Sequence, residues 1–296
     1  MADLTGYRTA AELDWIAKIQ AGCIVVREPL AAAAASIPAD TAATISVPSD
    51  VEVRIHAGMT TLGGESLAPA DGPDHALVVV GGLIVAEPVS EVTYRQISVV
   101  VLLLFPHGSE SVVGARLTDL IGGSTAYTHS DEMQFRSLAG EVNLSGAMIA
   151  NESGSPSDVL IVAGSIVIDE PVRSVGYQRI IVSGELIAPR ESRDRMGSLL
   201  EVSGQAHWYR GDQPRVVRGE ETYDAEFLSL VEEPLSLIVL GTVRFGPDVT
   251  NELIKRAIAD IVLVGTAVVP RSGYAAVQLL ARDNTGSIVL AEDAAV

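Results

Sequence analysis

Short runs of β-branched and leucine side chains recur along the chain. Each is broken by a glycine, resumes as three or four apolar residues, and often ends near a proline. The phrase appears before Pro29, as Ile-Gln-Ala-Gly-Cys-Ile-Val-Val, and before Pro88, as Val-Val-Val-Gly-Gly-Leu-Ile-Val. Further copies precede Pro171, Pro189, Pro247 and Pro270. The anchoring glycines set the period. Gly146, Gly164, Gly184 and Gly204 lie about twenty residues apart, as do Gly241, Gly265 and Gly286 within a few residues. Leu102 and Gly123 fall where the series from Gly82 to Gly146 requires members. Gly204 to Gly241 spans about two periods, and so does Gly22 to Gly58. About fourteen turns of this size are in the range of solenoid repeats.

A physical reading follows. A short β-branched strand pairs in parallel with its equivalent one turn away. Glycine allows a bend or a close backbone approach that a Cβ would block. Proline ends the strand because it has no N–H for the ladder. The expected fold is mainly β: a single parallel β-solenoid of about twenty-residue turns with some short helical return arms. Those arms are expected over Ala31 to Ala35, where Glu28-Pro29-Leu30 leads in, over Asp248 to Asp260, and over Tyr274 to Arg282, from their apolar spacing. The other return arms read as too short or too rich in Gly and Ser for a helix. Residues 8–20 read as an N-terminal capping helix. Thr9 to Glu12 fits a capping box, and Leu13, Ile16 and Ile19 share a helical face. The domain reading is therefore 1–20 as cap, 21–290 as solenoid and 291–296 as tail.

Composition narrows the function. The 296 residues hold 20 Lys plus Arg against 38 Asp plus Glu, a formal net charge of −18. Non-specific nucleic-acid or anionic-membrane binding needs a basic surface and is disfavoured. Apolar residues at 48% suffice for a core, and aromatics at only 4% make that core aliphatic. A lone cysteine, Cys23, excludes a disulfide framework and a cysteine zinc site; it reads as a buried small apolar residue. The N-terminus lacks the pattern of a signal peptide. The apolar run from Ile97 to Phe105 is too short to span a bilayer, so membrane insertion is not expected. The expectation is a soluble cytoplasmic protein.

The strand-Gly-strand-Pro phrase resembles bacterial β-solenoid repeat proteins. It shares the Gly-punctuated Val/Ile strands of bactofilins, which are cytoskeletal β-helix polymers. The helical arms are similar to those of leucine-rich repeats, although the Leu-x-x-Leu-x-Leu-x-x-Asn frame is absent and the turn length departs from bactofilins. The resemblance is architectural and brings no site residues with it.

Chemistry-bearing candidates are few. His56 and His75, and His107 and His129, lie about one turn apart, a spacing that could stack metal ligands, but no carboxylate recurs beside them in a consistent way. His207 stands alone. Ile121-Gly122-Gly123-Ser124-Thr125 resembles a phosphate-binding turn but lacks the P-loop lysine. Arginines crowd the middle: Arg173, Arg179, Arg190, Arg193, Arg195, Arg210, Arg215 and Arg218, interleaved with Glu191, Asp194, Asp212, Glu220 and Glu221. Pectin-lyase-type β-helices use arginine with acids and a metal, so this stretch is the enzymatic foothold; solvated ion pairs are the plainer reading. His207-Trp208-Tyr209-Arg210 reads as core or as a binding patch. Arg210-Gly211-Asp212 spells an integrin tripeptide by chance.

The reading that follows is a non-enzymatic, self-assembling scaffold with no metal and no cofactor. Its partner is itself, as a homo-oligomer or polymer, and possibly another protein. A protein-binding solenoid module is the alternative, and a carbohydrate-active β-helix enzyme the second. The strand Ser287 to Leu290 is expected to close the last turn, with Ile288 and Leu290 as the self-association residues.

Overall fold

The computed structural model describes residues 1–41, 43–211 and 214–292. The fold is mainly β, with 44% strand and 19% helix. The strands pair in parallel with partners one repeat away, and they form several separate sheets. Two compact units emerge: Met1–Gly140 with Ile161–Ala163, and Glu141–Leu160 with Gly164 onward.

In the first unit, Cys23–Arg27 lies between Ala2–Asp3 and Ala43–Val47. Glu52–Ala57 and Thr60–Leu62 both pair with the long strand His75–Val85. That strand pairs with Gln96–Pro106, which pairs with Leu117–Tyr127. The register places Gly82 opposite Leu102 and Leu102 opposite Gly123, as the period requires. The bend falls one residue earlier. Gly81 and Gly122 have φ of 149° and 133°, and Val101 between them sits at 110°, a region a β-branched residue rarely enters.

In the second unit, Leu186–Pro189 pairs with Ala206–Tyr209, and Arg179–Val182 with Leu200–Val202. Two four-stranded sheets follow. One runs Pro214–Val217, Leu235–Val239, Ile258–Leu263, Asp283–Asn284. The other runs Glu220–Tyr223, Thr242–Phe245, Thr266–Val269, Ser287–Leu290. Val239, Val243, Leu263, Ala267 and Val269 from both sheets share one fully buried core. Gly219 is the unread member between Gly204 and Gly241: a Cβ on Gly241 would overlap the Gly219 carbonyl oxygen.

The expected helical arms form as Ala31–Ala35, Asn251–Ala257 and Tyr274–Leu280. Thr250 caps the second, its hydroxyl accepting from the Leu253 N–H at 3.4 Å. Short helices also form at Glu110–Gly114, Gly146–Ala150, Arg193–Met196 and Ala225–Ser229, where none was expected. Two of these are held by side-chain caps, Ser145 and Asp224, which offset a weak local propensity.

The N-terminal helix over 8–20 is a correction. Only Ala10–Glu12 is helical, as one 3-10 turn. The Glu12 carboxylate does accept from the Thr9 N–H at 3.2 Å, as a capping box requires, and also from the Arg8 N–H at 2.6 Å. The chain then tightens through bonds from Leu13 to Ala10 and from Ile16 to Leu13, each spanning three residues. Ile19 is drawn into the strand Ile19–Gln20 paired with Ala39–Asp40. Leu13 and Ile19 are buried all the same, against Ile24, Val26 and Leu30.

A longer repeat overlies the short one. Glu87-Pro88-Val89, Val92, Tyr94 and Ile97 return some eighty residues later as Glu170-Pro171-Val172, Val175, Tyr177 and Ile180. The hydrogen bonds return with them. The Val89 N–H donates to Ser109 Oγ at 3.0 Å, and the Val172 N–H to Ser192 Oγ at 2.8 Å. The Tyr127 hydroxyl donates to the Val85 carbonyl at 2.6 Å, and that of Tyr209 to Ile168 at 2.8 Å. Thr93 N–H bonds Leu67 O and Gly176 N–H bonds Ile149 O, both at 3.0 Å. Each unit thus contains one copy of a four-turn block.

Candidate functional site

The sequence-predicted association residues lie on Ser287–Leu290. This strand pairs in register with Thr266–Val269, with Ile288 opposite Ala267 and Leu290 opposite Val269. Among the described residues it pairs with no second strand. Ile288 and Leu290 share one face of the strand, because side chains alternate. Both are partly buried, and Ile288 packs on the core of the second unit. Ala291 N–H still bonds Val269 O at 3.0 Å. Of the expected tail 291–296, residues 293–296 lie outside the described residues.

A second site lies on the strand Ala206–Tyr209, at the end of the six-stranded sheet order. Strand alternation divides the aromatic cluster. His207 and Tyr209 are buried, whereas Trp208 is part-exposed and Arg210 is exposed. The open edge of this strand is closed by side chains of the neighbouring sheet. Asp283 accepts from the Trp208 N–H at 3.3 Å, and Asp260 accepts from the Arg210 N–H at 2.8 Å. The Ser236 hydroxyl bridges Asp260 and the Arg210 carbonyl. Asp283 also accepts from the His207 Nδ1–H at 2.7 Å. His207 Nε2 is left buried with no partner among the described residues. Polar side chains thus occupy backbone groups that would otherwise pair with a foreign strand.

Outside this seam, Arg190, Trp208, Arg210 and Arg282 line one small cavity of about 150 Å³, with Ile261 and Val262 also in its wall. Arg193 lies 6.0 Å from the centre of the Trp208 ring. Sequence reasoning gathered three of these four arginines but not Arg282, nor Asp260 and Asp283. No local signal marks those three; only the strand register brings them to the edge.

The remaining arginines follow the ion-pair reading where partners are seen. Arg218 pairs with Glu141 at 2.7 Å, and Arg215 with Glu221 at 2.9 Å. The Arg215 guanidinium holds the Glu221 carboxyl below its ordinary range. Tyr223 donates to the same carboxylate at 3.0 Å. Burial, with a smaller contribution from Glu221, pushes the Tyr223 phenol up to about 12. Tyrosine in an unfolded chain ionises near 10. The folded state therefore keeps its proton longer, and stability should fall as pH rises from about 10 to 12, by roughly 2–3 kcal/mol from this group. Thermal melts across that range should show the loss, and Tyr223→Phe should flatten it. An unchanged slope in the variant would show that Tyr223 is not its source.

Two larger grooves occupy matching places in the two copies of the four-turn block. One, of about 800 Å³, is lined by Glu152, Asp169, Glu170 and Arg173 beside Pro171. The other, of about 610 Å³, is lined by Glu65, Glu87, His129 and Asp131 beside Pro88. Arginine and acids do meet in the first, but it is mainly acidic.

The histidines do not stack. His56 lies opposite Val79, four positions beyond His75, which instead faces Glu52. His107 N–H bonds Tyr127 O, which puts His129 out of register with it. Among the described residues, no group of three His, Cys, Asp or Glu side chains could hold a metal ion. Gly122 and Gly123 sit inside the strand Leu117–Tyr127, at a bend and not in a phosphate-binding turn. Cys23 is buried, and burial pushes its thiol upward. Asp212 of the Arg-Gly-Asp spelling lies outside the described residues. No helix among the described residues is long and apolar enough to cross a membrane.

The fold is mainly β, with several parallel sheets. Comparison with known proteins finds no matching family model, no similar curated protein and no similar solved structure.

Proposed function

We propose that this protein is a non-enzymatic, self-assembling scaffold, a β-solenoid whose partner is a second copy of itself. The observation that carries the reading is the strand Ser287–Leu290, paired in register on one side and without a strand on the other among the described residues. Such an edge offers a row of N–H and C=O groups to an incoming strand. The contrast with Ala206–Tyr209 supports it, since there the edge is closed by Asp260 and Asp283. The resemblance of the repeat phrase to bactofilins points the same way, and a cytoplasmic location fits it.

The charge of −18 opposes association of like chains, and salt screens that repulsion. Assembly should therefore strengthen between low and high ionic strength. Replacing Ile288 and Leu290 together by Lys should weaken it at either salt, by at least tenfold in dissociation constant, because two charges enter an apolar strand face. Light scattering over a dilution series reads both effects. A monomer at low and high salt alike would overturn the scaffold reading and favour a solenoid that binds a different protein.

A further inference from the structure

We propose that the cavity beside Trp208 is a binding site for a small planar anion, such as an aromatic carboxylate or an aromatic phosphate monoester. Three arginines line it, Arg190, Arg210 and Arg282. Among the described residues, none of them has a carboxylate within ion-pair distance.

The two carboxylates in the cavity wall are already committed. Asp283 holds the His207 imidazole and the Trp208 N–H, and Asp260 holds the Arg210 N–H and the Ser236 hydroxyl. These bonds fix the strand that carries Trp208 and Arg210, so the site does not have to organise when a ligand arrives. The guanidinium groups keep their donors for an incoming anion, which they can meet in bidentate fashion.

The indole of Trp208 adds the second element. It is part-exposed in the same cavity, and Arg193 lies near its ring. With Ile261 and Val262 in the wall, it offers an apolar plate on which a flat ring can stack. A volume of about 150 Å³ suits one ring with one anionic head group and is too small to enclose a dinucleotide or an oligosaccharide. The feature is specific to one copy of the four-turn block. The place of Arg190 after its strand-ending Pro189 is taken in the other copy by His107 after Pro106.

The test uses the full chain carrying Trp15→Phe, so that Trp208 is its single indole. Phenyl phosphate, benzoate, inorganic phosphate and phenol are titrated while indole fluorescence and heat are followed. Phenyl phosphate and benzoate should bind saturably, at least about tenfold more tightly than phenol or inorganic phosphate. Binding should weaken several-fold when salt rises from low to high. Arg190→Gln with Arg282→Gln should weaken it at least about tenfold while far-UV circular dichroism stays unchanged; both side chains are exposed, so the fold does not depend on them. No saturable response to phenyl phosphate or benzoate in the millimolar range would overturn the proposal. So would phenol binding as tightly as benzoate, or binding that is indifferent to both arginine substitutions.

Discussion

Val182→Asp should leave the second unit unfolded at 25 °C, or folded only in part. Val182 lies at the end of Arg179–Val182, which takes an interior place in its sheet and has Val202 opposite it. It is fully buried, and its neighbour Ile181 is almost so. The substitution loses about 1.5–3 kcal/mol of apolar burial. It also places a carboxylate in a fully buried position, at a further cost of several kcal/mol. The sum approaches the whole stability of an ordinary domain, about 5–15 kcal/mol. Val182→Ala separates the two contributions, since it leaves a cavity without a charge and should cost only about 2 kcal/mol. Circular dichroism melts of both variants check this. A Val182→Asp protein with wild-type thermal stability would mean that the strand does not face a core.

Gly265→Ala should be among the most damaging methyl additions to the second unit. Gly241, Gly265 and Gly286 stand in a column at the bend between the two four-stranded sheets. The Gly241 carbonyl accepts from the Thr266 N–H at 2.8 Å, and that of Gly265 from the Ser287 N–H at 2.9 Å. A Cβ on Gly265 would overlap both the Gly241 carbonyl oxygen and the Leu240 carbonyl. These are backbone atoms in a hydrogen-bonded ladder, so relief requires a strand to move and ladder bonds to break. The expected cost is about 3 kcal/mol or more, a fall in melting temperature of roughly 10 °C. Gly219→Ala is the internal control. Gly219 begins the same column, and a Cβ there meets nothing within 4 Å. It should change the melting temperature by no more than a degree or two. Equal effects at the two positions would remove the close-approach explanation.

The contrast between these glycines shows what kind of information the chain carries openly. A parallel repeat places equivalent residues next to one another, so a constraint at one turn becomes a visible column in the sequence. Gly241, Gly265 and Gly286 were legible for that reason, and so was Leu102 in the place of a glycine. The aliphatic strands and three of the helical arms were legible through composition and period, both of which are local. The four-turn block beginning at Glu87 and Glu170 was equally present in the letters. It is masked because a twenty-residue period dominates any comparison of the chain with itself.

The N-terminal segment shows where local reading fails. Its capping box and apolar spacing satisfy a helix, yet Ile19 gains more as a strand beside Ala39, and the segment folds as turns that still bury Leu13. A short helix is marginal by itself, so tertiary pairing decides the outcome.

By itself, the sequence determined the parallel pairing of strands, their period and the aliphatic core, because each depends on neighbours one turn away that are near-copies of the same phrase. Only the tertiary structure decided the seam at Ala206–Tyr209 and the cavity beside it. Asp260 and Asp283 lie 50 and 75 residues from the backbone groups they hold. Nothing in the repeat anticipates them, because the seam is the place where one sheet ends and another begins. There the residues that meet are no longer copies, and their partnership depends on the path of the whole chain between them.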